Sequence, residues 1–211
     1  MNYIENIFAC LAAPLLVAVF CLRKDRRRMA LFLLAGMTAC LFSSYISTFV
    51  AAVLHADRLS ASVEIAPMVE EAMKLFPLLF YLMVFEPRYT EAYGSMLMIA
   101  VGFTTFENVC YLTANGAARI GHLLIRGFGT GAMHVVCGAM VSVGLFYLWD
   151  RIWLRAAGTV GLLSLAITYH GIYNILVSQE GPAAWVGYLI PLCTAALLGF
   201  RMPMPNAEWN S

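Results

Sequence analysis

The stretch Glu64-Ile-Ala-Pro-Met-Val-Glu70-Glu71-Ala-Met-Lys74-Leu-Phe-Pro77-Leu-Leu-Phe-Tyr-Leu-Met-Val-Phe85 decides the fold class. It is long enough to cross a hydrocarbon core, for which about 20 mostly apolar residues suffice. Yet it carries Glu70, Glu71 and Lys74 in its interior. A charged side chain at the bilayer centre costs about 2.5–3.5 kcal/mol on insertion scales. The stretch is therefore a membrane span only if its charges have partners. The rest of the chain favours a span. Of 211 residues, 62% are hydrophobic and 12% charged, and the mean hydropathy is +0.78. Soluble chains are about 45–50% apolar and about 25% charged, so a soluble domain and a disordered chain are both excluded. A net charge of +1 gives no reason to expect nucleic acid as a partner.

Working outward, seven apolar runs read as spans, over roughly residues 3–22, 29–54, 64–85, 93–113, 127–149, 156–178 and 182–200, with eight as the alternative count. Ala117–Arg126 reads as a short interfacial helix leading into the fifth. The expected architecture is all-α: a polytopic transmembrane helical bundle, one integral membrane domain over residues 1–211 surrounded by lipid bilayer. The start, Met1-Asn2-Tyr3-Ile4-Glu5, lacks a basic n-region, so no cleavable signal peptide is expected. The basic run Arg23-Lys24-Asp25-Arg26-Arg27-Arg28 follows the first span and places it inside, with the N-terminus outside. By alternation, inner loops hold Arg23, Lys24, Arg26, Arg27, Arg28, Arg88, Arg151, Arg155 and Arg201, and outer loops hold Arg58 and Arg119. Nine against two supports that orientation. Cys10, Cys21, Cys40, Cys110, Cys137 and Cys193 form no CxxC pair and read as small buried hydrophobes. Gly127 and Gly131 have the small-xxx-small spacing of close helix packing, and Pro77 is expected to kink its span.

Four spans carry polar groups that hydrocarbon does not accept freely: Glu70, Glu71 and Lys74 in the third, Glu107 in the fourth, His134 in the fifth, and His170 with Asn174 in the sixth. At about 1.5 Å of rise per residue, Glu70, Glu71, Glu107, His134 and His170 lie about 9–12 Å from the outer ends of their spans. Acid and imidazole thus meet at one level, nearer the outer face. Spacing along each helix agrees. Glu70 and Lys74 share a face at i,i+4, Glu71 and Lys74 are neighbours at i,i+3, and Glu107–Tyr111 and His170–Asn174 repeat the i,i+4 spacing. Imidazole and carboxylate together suit a divalent ion such as Zn2+. The expected ligands are Glu107, His134 and His170. Either Glu70 or Glu71 would be the general base, the other holding Lys74. Asn174 would be a ligand or an oxyanion donor, a role Tyr111 could share. A metal-free version uses the same residues, with a Glu–His pair activating water.

The pattern Glu70-Glu71-Ala-Met-Lys74, then Phe106-Glu107-Asn-Val-Cys-Tyr111, then His134 after a Gly-rich lead-in containing Arg126, then His170-Gly-Ile-Tyr-Asn174 resembles the PrsW family of bacterial intramembrane proteases. That family is distantly similar to the CAAX prenyl endopeptidase and bacteriocin-processing proteins, and the gamma-secretase scaffold subunit APH is a non-catalytic relative. The resemblance covers about residues 64–178, the expected active-site helices. It implies cleavage of a single-pass membrane protein, such as an anti-sigma factor, near its extracytoplasmic end, in the bacterial plasma membrane. Family members often carry Asp where this chain has Asn174, which leaves that position's role open. Two other functions fit intramembrane Glu, Lys and His: a proton-coupled transporter and a non-catalytic scaffold. A transporter would continue its polar residues to the inner face, where these spans are mostly apolar. Substrate identity and oligomeric state leave no mark on the sequence.

Overall fold

A computed structural model describes residues 4–116, 120–149 and 151–201, without the side chains of Phe200 and Arg201. The expectations for Met1–Tyr3, for Arg119 and for the side chain of Arg201 lie outside the described residues. The order of elements is α1 (Ile4–Cys21), α2 (Lys24–Val53), a short turn α3 (Arg58–Ser60), a π-helical turn (Ala61–Ile65), α4 (Ala66–Phe85), α5 (Tyr89–Asn115), α6 (Ile120–Leu148), α7 (Ile152–Val177) and α8 (Pro182–Arg201). Among the described residues, α1, α2, α5, α6, α7 and α8 are long and apolar enough to cross a membrane. The helix α4 matches α8 in length but carries Glu70, Glu71 and Lys74 in place of apolar side chains.

Helix limits follow local chemistry. The basic run is not a loop. From Lys24 onward it forms the first turn of α2, and Arg27 reaches back to donate to the carbonyl of Val19 at 3.0 Å, covering an orphan acceptor at the end of α1. Asp57 caps α3 by accepting from the Ser60 N–H at 2.7 Å, which holds its carboxyl below the usual carboxylate range. α4 runs through Pro77, whose missing N–H leaves the Met73 carbonyl without its helical donor. It ends at Glu86, in the left-handed region (φ 44°), and Pro87 follows. α6 begins at Ile120, so the expected interfacial segment is, over its described part, the first two turns of α6.

The bundle is interleaved around α5 and α6. α5 crosses α2 so closely that a Cβ on Gly36 would lie 2.0 Å from the Ile99 carbonyl oxygen, and one on Gly102 would lie 2.0 Å from that of Leu33. The two glycines let the backbones touch, as small residues do between membrane helices. The close packing expected at Gly127 and Gly131 is absent. Added Cβ atoms there would make ordinary contacts of 3.7 and 3.8 Å. A core of Leu75, Leu78 and Leu82 from α4, Met96 and Ile99 from α5, and Cys137, Val141 and Leu145 from α6 fills the half of the bundle below the ionisable groups. Cys40 and Cys137 are buried as expected, but Cys10, Cys21 and Cys193 lie on the outer surface, where an apolar thiol suits lipid equally well.

The two ends differ. At one, Arg28 pairs with Glu91 at 2.9 Å, the Tyr89 and Phe146 rings lie 4.4 Å apart, and Arg155 covers the Trp149 ring at 4.5 Å. The α2, α5 and α7 starts therefore sit together with the α4 and α6 ends. The opposite end holds the start of α4, the end of α5, the start of α6 and the end of α7, which are the segments that carry the polar groups.

Gly36→Ala and Gly102→Ala are each expected to destabilise the bundle by about 1–3 kcal/mol or more, since the backbones must part. Gly94→Ala, whose Cβ meets nothing within 4 Å, should be neutral or gain up to about 1 kcal/mol of helix propensity. Thermal midpoints in detergent would show the contrast, and equal midpoints for all three would contradict the close α2–α5 crossing.

Candidate active site

Adjacent residues on a helix point about 100° apart, so Glu70 and Glu71 meet different neighbours. Glu71 turns inward and is 2% exposed. Its Oε1 accepts from Lys74 Nζ at 2.6 Å and from His170 Nδ1 at 2.8 Å. Lys74, fully buried, also donates to His134 Nδ1 at 2.7 Å and lies 5.0 Å from the centre of the Phe103 ring. An ammonium only donates, so His134 Nδ1 accepts, and the His134 Nε2–H donates to Glu107 Oε2 at 2.8 Å. The other oxygen of Glu107 accepts from Arg126 at 3.2 Å. The same guanidinium donates to Asn108 Oδ1 at 2.5 Å and stacks 3.6 Å from the Tyr111 ring centre. One connected network thus joins four helices.

Glu70 turns the other way. Its Oε2 lies 3.8 Å from His170 Nε2. Because His170 Nδ1 carries the proton given to Glu71, Nε2 presents a free lone pair towards Glu70. Ligand atoms of Glu70, His134 and His170 all lie within 4.8 Å of one another. Beside them is a cavity of about 90 Å³, larger than a single water needs. Glu107, Arg126, Tyr173 and Asn174 also face it.

The expected ligand set was Glu107, His134 and His170. The structure brings Glu70 into the group with the two imidazoles, while Glu107 lines the cavity beside them, bonded to His134 and Arg126. Asn174 reaches the cavity wall but donates one amide proton to the Ser62 carbonyl at 2.8 Å. That carbonyl lies in the π-helical turn before α4. Tyr111 is the platform under Arg126 and is not in the cavity lining. The hydroxyl-bearing residues in the cavity lining are Thr130, Tyr173 and Tyr188, and buried Tyr173 shares a 2.8 Å hydrogen bond with Thr130. The roles of Arg126, Thr130 and Tyr173 were missed in the sequence. A helical-phase signal was there: Arg126, Thr130 and His134 are spaced i, i+4, i+8, and His170, Tyr173 and Asn174 are spaced i, i+3, i+4.

The acid and imidazole groups meet at one level, with the His134 and His170 ring centres 5.0 Å apart and His134 bonded to Glu107. Glu107 is eight residues from the end of α5 and His170 seven from the end of α7, about 12 and 10 Å. His134 is fourteen residues into α6, about 21 Å, because α6 starts earlier than its apolar run. Towards the other end the apolar core closes beneath Lys74. Among the described residues no file of ionisable groups continues through the bundle, which argues against a proton pathway.

Three carboxylates, Glu70, Glu71 and Glu107, face two permanent cations, Lys74 and Arg126. A family model for the PrsW family intramembrane metalloproteases matches residues 24–199. No solved structure matches the chain.

Lys74→Met should cost about 3–5 kcal/mol, because it strands Glu71 as a buried unpaired charge. Lys74→Met with Glu71→Leu should cost less than Lys74→Met alone. Additive losses measured by thermal or denaturant unfolding would mean that the pair is not coupled.

Proposed function

The chain belongs to the PrsW family of intramembrane metalloproteases, and from that premise we propose that it cleaves a single-pass membrane protein, such as an anti-sigma factor, near its extracytoplasmic end. It is an integral membrane protein, and its substrates are membrane proteins within the bilayer. The observation that carries the reading is the convergence of Glu70, His134 and His170 donors beside a polar cavity. We place it in a bacterial plasma membrane with the N-terminus outside. The positive-inside rule then puts the basic end of the bundle in the cytoplasm and the site on the far side.

Two imidazoles and a carboxylate are the donor set of many catalytic zinc sites. Glu70, His134 and His170 would hold Zn2+ or a similar divalent ion. When bound, such an ion polarises a peptide carbonyl and acidifies water. Glu71 fixes the His170 tautomer, as carboxylates behind metal-ligating histidines do. Lys74 neutralises Glu71. His134 would hold such an ion through one ring nitrogen, beside Glu107. Glu107 then takes a proton from water and returns one to the leaving amine. Arg126 holds that carboxylate in place. The Tyr173 hydroxyl and the second amide proton of Asn174 are the donors available to a developing oxyanion. In the metal-free version Glu70 is the base, and a water between it and His170 Nε2 is the nucleophile. In either version the substrate helix must unwind at the cleaved bond, because its amides are otherwise hydrogen-bonded.

A scaffold reading draws on one observation: Lys74 bonds both Glu71 and His134, so that part of the network is satisfied without a ligand. Metal content and turnover separate these readings. Purified without chelator, the wild type should hold about one divalent ion per chain, Glu70→Gln should lose both ion and activity, and Glu107→Gln should keep the ion but lose about 10²–10⁴ of rate. A metal-free but active wild type would remove the ion and leave Glu70 as base. Full activity in Glu70→Gln would overturn the proposed site.

A further inference from the structure

We propose that the groove between the start of α6, the end of α7 and the start of α8 receives the unwound, extended segment of the substrate next to the cleaved bond. This rests on the protease reading above. The groove encloses about 430 Å³ and has a mixed lining, with Gly121, His122 and Gln179 set against apolar side chains such as Ile125 and Trp185. It shares a wall with the catalytic cavity, since Val177 and Tyr188 line both. Tyr188 is the partition. It is 8% exposed and packs over Gly129, where an added Cβ would lie 2.7 Å from its ring. Its ring meets that of Tyr173 edge-on at 6.2 Å, and Tyr173 also lines the catalytic cavity.

The lining suits one kind of occupant. A folded transmembrane helix presents only side chains, and an apolar trough would hold it. An unwound segment exposes amide N–H and C=O groups, which must be satisfied or remain costly. His122 and Gln179 offer side-chain donors and acceptors, and both are exposed. Gly121 leaves its main chain uncovered: a Cβ added there meets nothing within 4 Å. The groove lies at the same end of the bundle as the site, where the proposed topology places water.

The test uses the full chain in proteoliposomes with a tagged single-pass protein as probe. Gly121→Trp and His122→Trp fill the groove without touching the catalytic groups, and Gly161→Trp, which also enters open space on α7, controls for a surface tryptophan. The groove-filling variants should lose tenfold or more in kcat/KM, mainly through KM, while metal content and thermal midpoint stay at wild-type values and the control stays active. A photo-crosslinking residue in place of His122 should capture the probe within a few residues of its cut site. Wild-type KM in both groove variants, or no capture at His122, overturns the groove. Capture without any cleavage by the wild type keeps the groove and overturns the protease reading. Cleavage without capture keeps the protease and overturns the groove.

Discussion

The buried pair of Lys74 and Glu71 is the constraint on which the rest depends. Neither side chain reaches the surface, and hydrocarbon offers neither of them solvation. α4 can therefore exist only when other helices close round it. His170 from α7 and His134 from α6 supply the remaining hydrogen-bond partners, and Phe103 from α5 supplies a ring face for the ammonium. Pairing the charges fixes where three further helices must stand. The polar cavity is what remains open on the Glu70 side once they do.

Much of this was legible because intramembrane charge is costly and so rarely without a reason. The apolar runs marked the helices, and the cost of Glu70, Glu71, Lys74, Glu107, His134 and His170 in lipid marked the site. Spacing along single helices brought Glu71 to Lys74 correctly. It could not say which carboxylate would face which imidazole, because that depends on the relative rotation of α4, α5 and α6. For this reason spacing alone did not show that Glu70 would lie beside His170 and Glu107 beside His134 and Arg126. Tyr111 was assigned by its spacing from Glu107, but the guanidinium that occupies its ring comes from α6. The Gly36–Gly102 crossing joins residues with no local pattern in common. Only the backbone approach of α2 and α5 makes them a pair.

The two ends of the bundle divide the work of holding and opening. The basic end is tied by Arg28 to Glu91 and by the tilted rings of Tyr89 and Phe146, and the core of leucines and methionines lies above it. The site end has a cavity and a groove where that core stops. An intramembrane protease needs this asymmetry. Water and substrate must enter from one side only, and the other side must remain sealed to ions. A PrsW-family chain of 211 residues achieves it with almost no mass outside the bilayer.

The π-helical turn over Ala61–Ile65, tied to α7 through Asn174 and Ser62, takes up slack in the chain. A π turn accommodates an extra residue within a helix without ending it. Gain or loss of a residue upstream, in the exposed link after α2, can be absorbed there before it reaches Glu70. The same change one turn later would rotate both carboxylates by about 100° and move Glu71 off its lysine. The segment between α2 and α4 is thus where this chain can change length while the angular phase of Glu70 and Glu71 is preserved.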